Sequence, residues 1–278
     1  MSKDKPPDDR QSLREEIKRL RQSLSELTPS LDVLLRRRGF RIFRQEPADD
    51  LLLPDSRFLD AFYEMLKKYS FRLFLREVIK HQEFFTIELV TRYATAEVTQ
   101  EYLEYLRRIG LIRPVRDGLR LARGRIKSFG ETLEWFVAEL FRREFQVEAV
   151  WGIRFKRPKV GGDYDLIAKV DGSILYMEVK SSPPKQIYQT EISAFFDRVT
   201  DLSPEISIFF VDTELRMKDK IVLMFEEELG RRQEPAPPVL RLEKELFRIE
   251  NRIFIMNAKD TIPANIETVL TRFFRDKR

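Results

Sequence analysis

The chain has 278 residues, 42% hydrophobic and 35% charged, with 51 Lys and Arg against 46 Asp and Glu and a net charge of +5. The absence of cysteine excludes disulfides and thiolate metal sites, a single histidine (His81) excludes a His-rich zinc centre, and no apolar run approaches the ~20 residues of a membrane helix. The charged opening Met1-Ser2-Lys3-Asp4-Lys5 lacks a signal-peptide core, so a cytoplasmic protein is expected, and the basic balance suits a polyanionic partner.

Leu13, Ile17, Leu20, Leu24 and Leu27 form a heptad stripe on a helix of barely two heptads. Such a stripe either docks on its own protein or builds a homodimer, and its brevity favours docking. Leu31 to Phe43 is expected to extend the helix, and Gln45 to Asp55, rich in acids and proline, reads as a linker. These pieces make up an extension over 1–55.

Residues 56–126 have the pattern of a winged helix-turn-helix. Phe71 to His81 is amphipathic. A short second helix runs from Phe85-Thr86 to Tyr93 with Thr86 placed to cap it, and Thr95 opens a third that ends at Gly110. Leu111 to Leu121, turning at Arg116-Asp117-Gly118, is a small hairpin, the wing. Glu97, Glu101 and Glu104 lie on or near the exposed side of the third helix and would repel phosphates, leaving Thr99, Gln100, Arg107 and Arg108 compatible with a duplex. The basic wing, with Arg116 and Arg120, is the better DNA contact, and packing against protein is the alternative role for the module.

From 127 to 278 the pattern becomes α/β. Gly130-Glu131-Thr132-Leu133-Glu134-Trp135-Phe136-Val137-Ala138 reads as a helix, and a basic stretch, Arg154, Lys156, Arg157 and Lys159, precedes Gly161-Gly162-Asp163-Tyr164-Asp165-Leu166-Ile167-Ala168. Asp171-Gly172 is a hairpin signal linking this strand to Ile174–Lys180, and both strands carry nearly continuous apolar runs, as in a sheet covered on both faces. Alternation places Glu178 and Lys180 on one face and Val179 in the core. Two carboxylates and an ammonium at one end of a buried hairpin make a poor structural pattern, and a hard divalent cation would reconcile them. Beyond Ser181-Ser182-Pro183-Pro184, a helix over Lys185–Thr200, a buried strand Ile206–Val211, a helix before Glu228, a hairpin over Leu246–Met256 and a last helix Pro263–Phe274 complete an α/β sandwich.

Gly162-x-x-Asp165-Leu166-Ile167, then Glu178-Val179-Lys180, with an upstream helical Glu134, resembles the PD-(D/E)xK nucleases, the restriction-endonuclease-like superfamily that includes Holliday-junction resolvases. The superfamily's Pro-Asp pair is absent, since Tyr164 precedes Asp165. The resemblance implies an α/β/α core in the C-terminal half and a metal-dependent deoxyribonuclease acting in defence, repair or recombination. Asp165, Glu178, the Val179 carbonyl and Glu134 (Glu131 in reserve) would ligate Mg²⁺ or Mn²⁺, and Lys180 would orient or deprotonate the attacking water. Arg154, Lys156, Arg157 and Lys159 would hold the DNA backbone. The rival reading is a catalytically silent scaffold or regulator that keeps the nuclease fold and acts through the winged helix.

Overall fold

The computed structural model describes residues 28–156 and 160–276, with residues 13, 15–17, 19, 20 and 23 before them. Its centre is an eight-stranded mixed sheet in the order β1-β4-β5-β6-β7-β10-β9-β8. The strands are β1 (Ile42–Arg44), β4 (Glu148–Phe155), β5 (Tyr164–Val170), β6 (Ser173–Lys180), β7 (Ile206–Val211), β8 (Val239–Glu243), β9 (Leu246–Ile249) and β10 (Ile253–Asn257). β6, β7 and β10 run parallel, and antiparallel strands flank them on both sides. Parallel neighbours need crossovers, and helices supply them here, so both faces of the sheet are covered.

On one face α6 (Gly130–Arg143) packs Leu133, Phe136 and Val137 against Trp151, Leu166, Met177 and Val179. On the other, α1 (Leu31–Arg37), α7 (Gln189–Leu202) and α8 (Leu223–Arg232) cover Tyr164, Tyr176 and Phe209 with Leu35, Ile192, Phe195 and Phe225. β6 is buried at every position before Lys180. The β5–β6 connection is the expected tight turn: Asp171 and Gly172 both have positive φ, between the paired Val170 and Ser173.

The expected continuation of a helix through Phe43 does not occur. Phe40 N–H bonds to Leu35 O and Gly39 N–H to Arg36 O, a Schellman stop, after which Ile42–Arg44 pairs antiparallel with β4 as an edge strand. The stretch read as a linker is ordered by acceptors on α6: Asp50 N–H donates to Glu131 Oε2 (2.9 Å) and Leu52 N–H to Thr132 Oγ1 (3.0 Å), with Leu52 fully buried. Of the heptad stripe, Leu13, Ile17 and Leu20 are exposed, and Leu24 and Leu27 lie outside the described residues.

The helical layer consists of α2 (Leu59–Leu66), α3 (Tyr69–Lys80), the short α4 (Ile87–Val90) and α5 (Ala96–Arg108), followed by the hairpin β2 (Ile112–Val115) and β3 (Gly118–Leu121). Thr95 caps α5, whereas Thr86 makes no side-chain cap to α4. Glu97, Glu101 and Glu104 are exposed as expected, but Thr99 is wholly buried and donates to Thr95 O, which removes it as a DNA contact. The layer is tied to the sheet by Arg72, which donates to Asp212 just past β7, and by Arg76, which donates to both the backbone and side-chain oxygens of Asp212. No described helix is long and apolar enough to cross a membrane.

Candidate functional site

The end of the β5–β6 hairpin gathers the charged residues singled out above. Asp165 stands one step beyond the Leu166–Met177 pair, beside Glu178, and its Oδ2 accepts the Val179 N–H at 2.7 Å. Val179 packs into the α6-side core, so Glu178 and Lys180 share the opposite face, toward α7. Lys180 Nζ lies 2.8 Å from Glu178 Oε1 and 3.2 Å from Glu191 Oε1.

Glu178 has two further partners that alternation did not reveal. Arg198, on α7, donates from Nη2 to both carboxylate oxygens (2.7 and 2.8 Å) and from Nε to Oε2 (3.2 Å), and Tyr176 O–H donates to Oε2 as well. Arg198 Nε also donates to the Tyr176 oxygen at 2.8 Å. A carboxylate, a phenol and two cations thus form a buried network in which Glu178 is only 1% exposed. Burial opposes its ionisation, but Lys180 and Arg198 together outweigh this and hold the carboxyl below its ordinary range. Burial likewise works against the Lys180 ammonium, which Glu178 and Asp165 nevertheless keep charged by raising its pKa.

Gly162 has its place here. Its φ is +98°, and a Cβ on it would sit 3.2 Å from Arg198 Nη1, so the glycine lets the loop before β5 pass close over the guanidinium.

The other two acids behave differently. Burial and the neighbouring Glu178 push the Asp165 carboxyl up to about 7. Burial, then Asp165, raises Glu134 well above the usual carboxylate range, and Glu134 has no hydrogen-bond or ion-pair partner among the described residues. Glu131, the reserve acid, accepts the Asp50 N–H and so has a structural role. Four carboxylates (Asp165, Glu134, Glu178 and Glu191) against two cations leave the site short of positive charge, on the side of Asp165 and Glu134.

No set of three or more acidic or histidine side chains among the described residues is arranged to hold a metal ion. The donor chemistry nevertheless fits a hard divalent ion at Asp165 and Glu134, since Mg²⁺ takes one or two carboxylates and completes its shell with water. It fits poorly at Glu178, whose oxygens are already engaged by Arg198, Lys180 and Tyr176.

Among the expected nucleic-acid contacts, Arg154 pairs with Asp163 and Arg120 with Glu83 (3.2 Å), while Arg116 is exposed on the β2–β3 turn. Lys156 is exposed just beyond β4, and Arg157 and Lys159 lie outside the described residues. His81 is partly exposed near Glu77, away from the site.

No protein-family model matches the chain, and no curated protein matches it. Among solved structures it is similar to Can2 from Sulfobacillus thermosulfidooxidans in complex with cyclic tetra-adenylate, at 16% identity and a TM-score of 0.49, covering 88% of this chain and 60% of that one. It is also similar to protein VC1899 from Vibrio cholerae, at 11% identity and a TM-score of 0.48, covering 88% and 61%. The chain thus spans about three fifths of the length of these two structures.

Proposed function

We propose that the protein is a metal-dependent nuclease of the PD-(D/E)xK type, with its active site at the end of the β5–β6 hairpin and its helical layer a winged-helix unit. The observation that carries this reading is the meeting of Asp165, Glu178 and Lys180 at one end of a strand pair otherwise buried in apolar side chains, with Glu134 brought in from α6. Buried acids without full compensation destabilise a fold and persist where chemistry needs them.

Asp165 and Glu134 would hold the Mg²⁺ or Mn²⁺, with the Val179 carbonyl beside them. A bound divalent ion lowers the pKa of water and neutralises charge building on phosphate oxygens. Lys180, kept protonated by Glu178 and Asp165, would orient the attacking water or place its ammonium on the phosphate. Glu178, locked by Arg198, would hold Lys180 in position. Lys156 and Arg154, at the end of β4, would add sequence-independent contacts to the DNA backbone.

The silent-scaffold reading has one observation in its favour, the Arg198 clamp that occupies Glu178. Incubating the purified protein with supercoiled plasmid, single-stranded DNA and a four-way junction, in Mg²⁺, Mn²⁺ or EDTA, separates the two. Cleavage with either metal and none in EDTA is expected. No cleavage of any substrate with either metal, from a folded protein, would favour the scaffold.

A further inference from the structure

Past Lys180 the chain does not return to the core at once. Ser181, Ser182 and Pro183 line the wall of a cleft of about 850 Å³ between the sheet and the helical layer, with Thr213 and Leu215 after β7 beside them and α3 opposite. The two loops are joined where they leave the sheet, by Asp212 N–H donating to Lys180 O at 2.8 Å. The cleft therefore begins one residue beyond Lys180, on the side of β6 away from β5, while the Asp165, Glu178 and Lys180 side chains do not line it.

Its lining carries more cations than acids. Arg76, Lys80, Arg92, Lys127 and Lys185 line it, with Glu77 and Glu214; behind them Arg76 is paired with Asp212 and Lys127 with Asp50 (3.6 Å). Glu77 is shared, 3.4 Å from Lys80 and 3.9 Å from Arg92, and the side chains of Lys80, Arg92 and Lys127 are 57%, 60% and 82% exposed. Arg76 Nε is buried with no hydrogen-bond partner. Tyr93 adds a ring that is 45% exposed, with the Arg92 guanidinium 5.7 Å from its centroid. By contrast, α5 presents exposed Glu97, Glu101 and Glu104 to solvent.

We infer that this cleft binds a single-stranded nucleic acid and leads it to Lys180. The inference deepens the nuclease reading above and rests on it for the direction of the strand. Spaced ammonium and guanidinium groups follow a phosphate backbone, and an exposed ring next to a guanidinium is a stacking platform for an unpaired base. Base pairs in a duplex keep their faces stacked inside the helix, so Tyr93 selects single strands. DNA and RNA share this chemistry.

The test is fluorescence-anisotropy binding in EDTA, which reads affinity with cleavage blocked, using an oligothymidylate, an oligouridylate and a blunt duplex across a salt series. The variants are K80Q/R92Q/K127Q, Tyr93→Leu, and R241Q/K244Q at the exposed β8 edge of the sheet as control; circular dichroism verifies that each is folded. The wild type should bind a single strand more tightly than the duplex. The triple variant should bind the single strand at least about tenfold more weakly, with the salt slope reduced by about 2, since each lost single-strand phosphate contact removes about 0.7. Tyr93→Leu should lose about fivefold or more with an unchanged slope, as for a lost stack.

Tighter binding to the duplex, no binding to any of the three, or a triple variant as tight as wild type overturns the inference. So does an equal loss in the R241Q/K244Q control. A protein that binds the single strand in this way but cuts nothing in Mg²⁺ or Mn²⁺ would refute the nuclease reading and leave the cleft as a binding site.

Discussion

Arg72 on α3 and Asp212 beyond β7, 140 positions apart in the chain, meet through three hydrogen bonds of 2.8 to 3.0 Å with both side chains shut away from solvent. Arg72 also donates from Nη1 to Leu66 O (2.7 Å) and Lys67 O (3.1 Å), so its guanidinium is satisfied on both sides. Burial opposes the charge on Asp212, but Arg72 and Arg76 outweigh it and hold the carboxyl below its ordinary range. This contact sets the helical layer against the sheet and so shapes the cleft between them.

Removing both partners should therefore cost less than the two single losses added together. Arg72→Met leaves Asp212 with Arg76 alone, and Asp212→Asn leaves a buried guanidinium without its counter-ion. Each is expected to destabilise the protein by about 3–5 kcal/mol. The double variant should cost less than the sum of the two. Urea unfolding of the four proteins checks this, and strict additivity would mean that the pair is not coupled.

At Glu178 the kind of substitution decides the outcome. Glu178→Ala strands Arg198 in the interior and should lower stability by about 3–5 kcal/mol, so loss of activity in that variant says little about chemistry. Glu178→Gln keeps an acceptor for Arg198 and Tyr176 while removing the charge that positions Lys180. It should remain folded and cut at least about a hundredfold more slowly, the scale of losing one pre-positioned charged group. Single-turnover cleavage beside thermal melting measures both, and wild-type rates from Glu178→Gln would remove Glu178 from the site.

Asp165 should make stability depend on pH in an unusual direction. Its folded pKa, pushed up to about 7 by burial and Glu178, exceeds the ordinary carboxylate value, so the folded state holds a proton that the unfolded chain has released. Stability should then fall as pH rises from about 4 to about 7 and stay low above that. Asp165→Asn removes this loss: at pH 8 without metal it should melt above the wild type, and the difference should shrink as the pH is lowered toward 4. Mg²⁺ or Mn²⁺ should raise the Tm of the wild type but not of Asp165→Asn, because only the ionised folded site gains a ligand. Metal-induced shifts of equal size in both proteins would place the ion elsewhere.

Gly162→Ala tests the close approach to Arg198. With φ at +98° and the new methyl 3.2 Å from Nη1, about 1–2 kcal/mol of backbone strain is expected. A displaced Arg198 would loosen its hold on Glu178, so activity should fall further than stability alone explains. A variant with wild-type Tm and rate would show that the loop accommodates a side chain.

The hairpin was readable because its signals are local. Asp171-Gly172 marks the turn, the apolar runs mark strands covered on both sides, and the alternation through Glu178-Val179-Lys180 places acid and amine together. Arg198 was not. In sequence it is one more charge on a helix, and the only hint is its spacing, three residues after Phe195 and four before Leu202, within the stripe that turns inward. β1 has three residues and takes its meaning from β4, more than a hundred positions away, and β4 itself is interrupted by Gly152 and the exposed Arg154. The stretch around Asp50 and Leu52 has the composition of a loop, yet Glu131 and Thr132 supply it with acceptors that its own residues do not reveal.

The separation of Arg72 from Asp212 also bears on how the molecule is made. Every residue of the charged cluster, from Glu134 to Arg198, precedes Asp212 in the chain, so a chain that stops short of the end of β7 holds the residues of the cluster but not the partner of Arg72. The contact that sets the helical layer against the sheet is thus the later of the two to become available during synthesis.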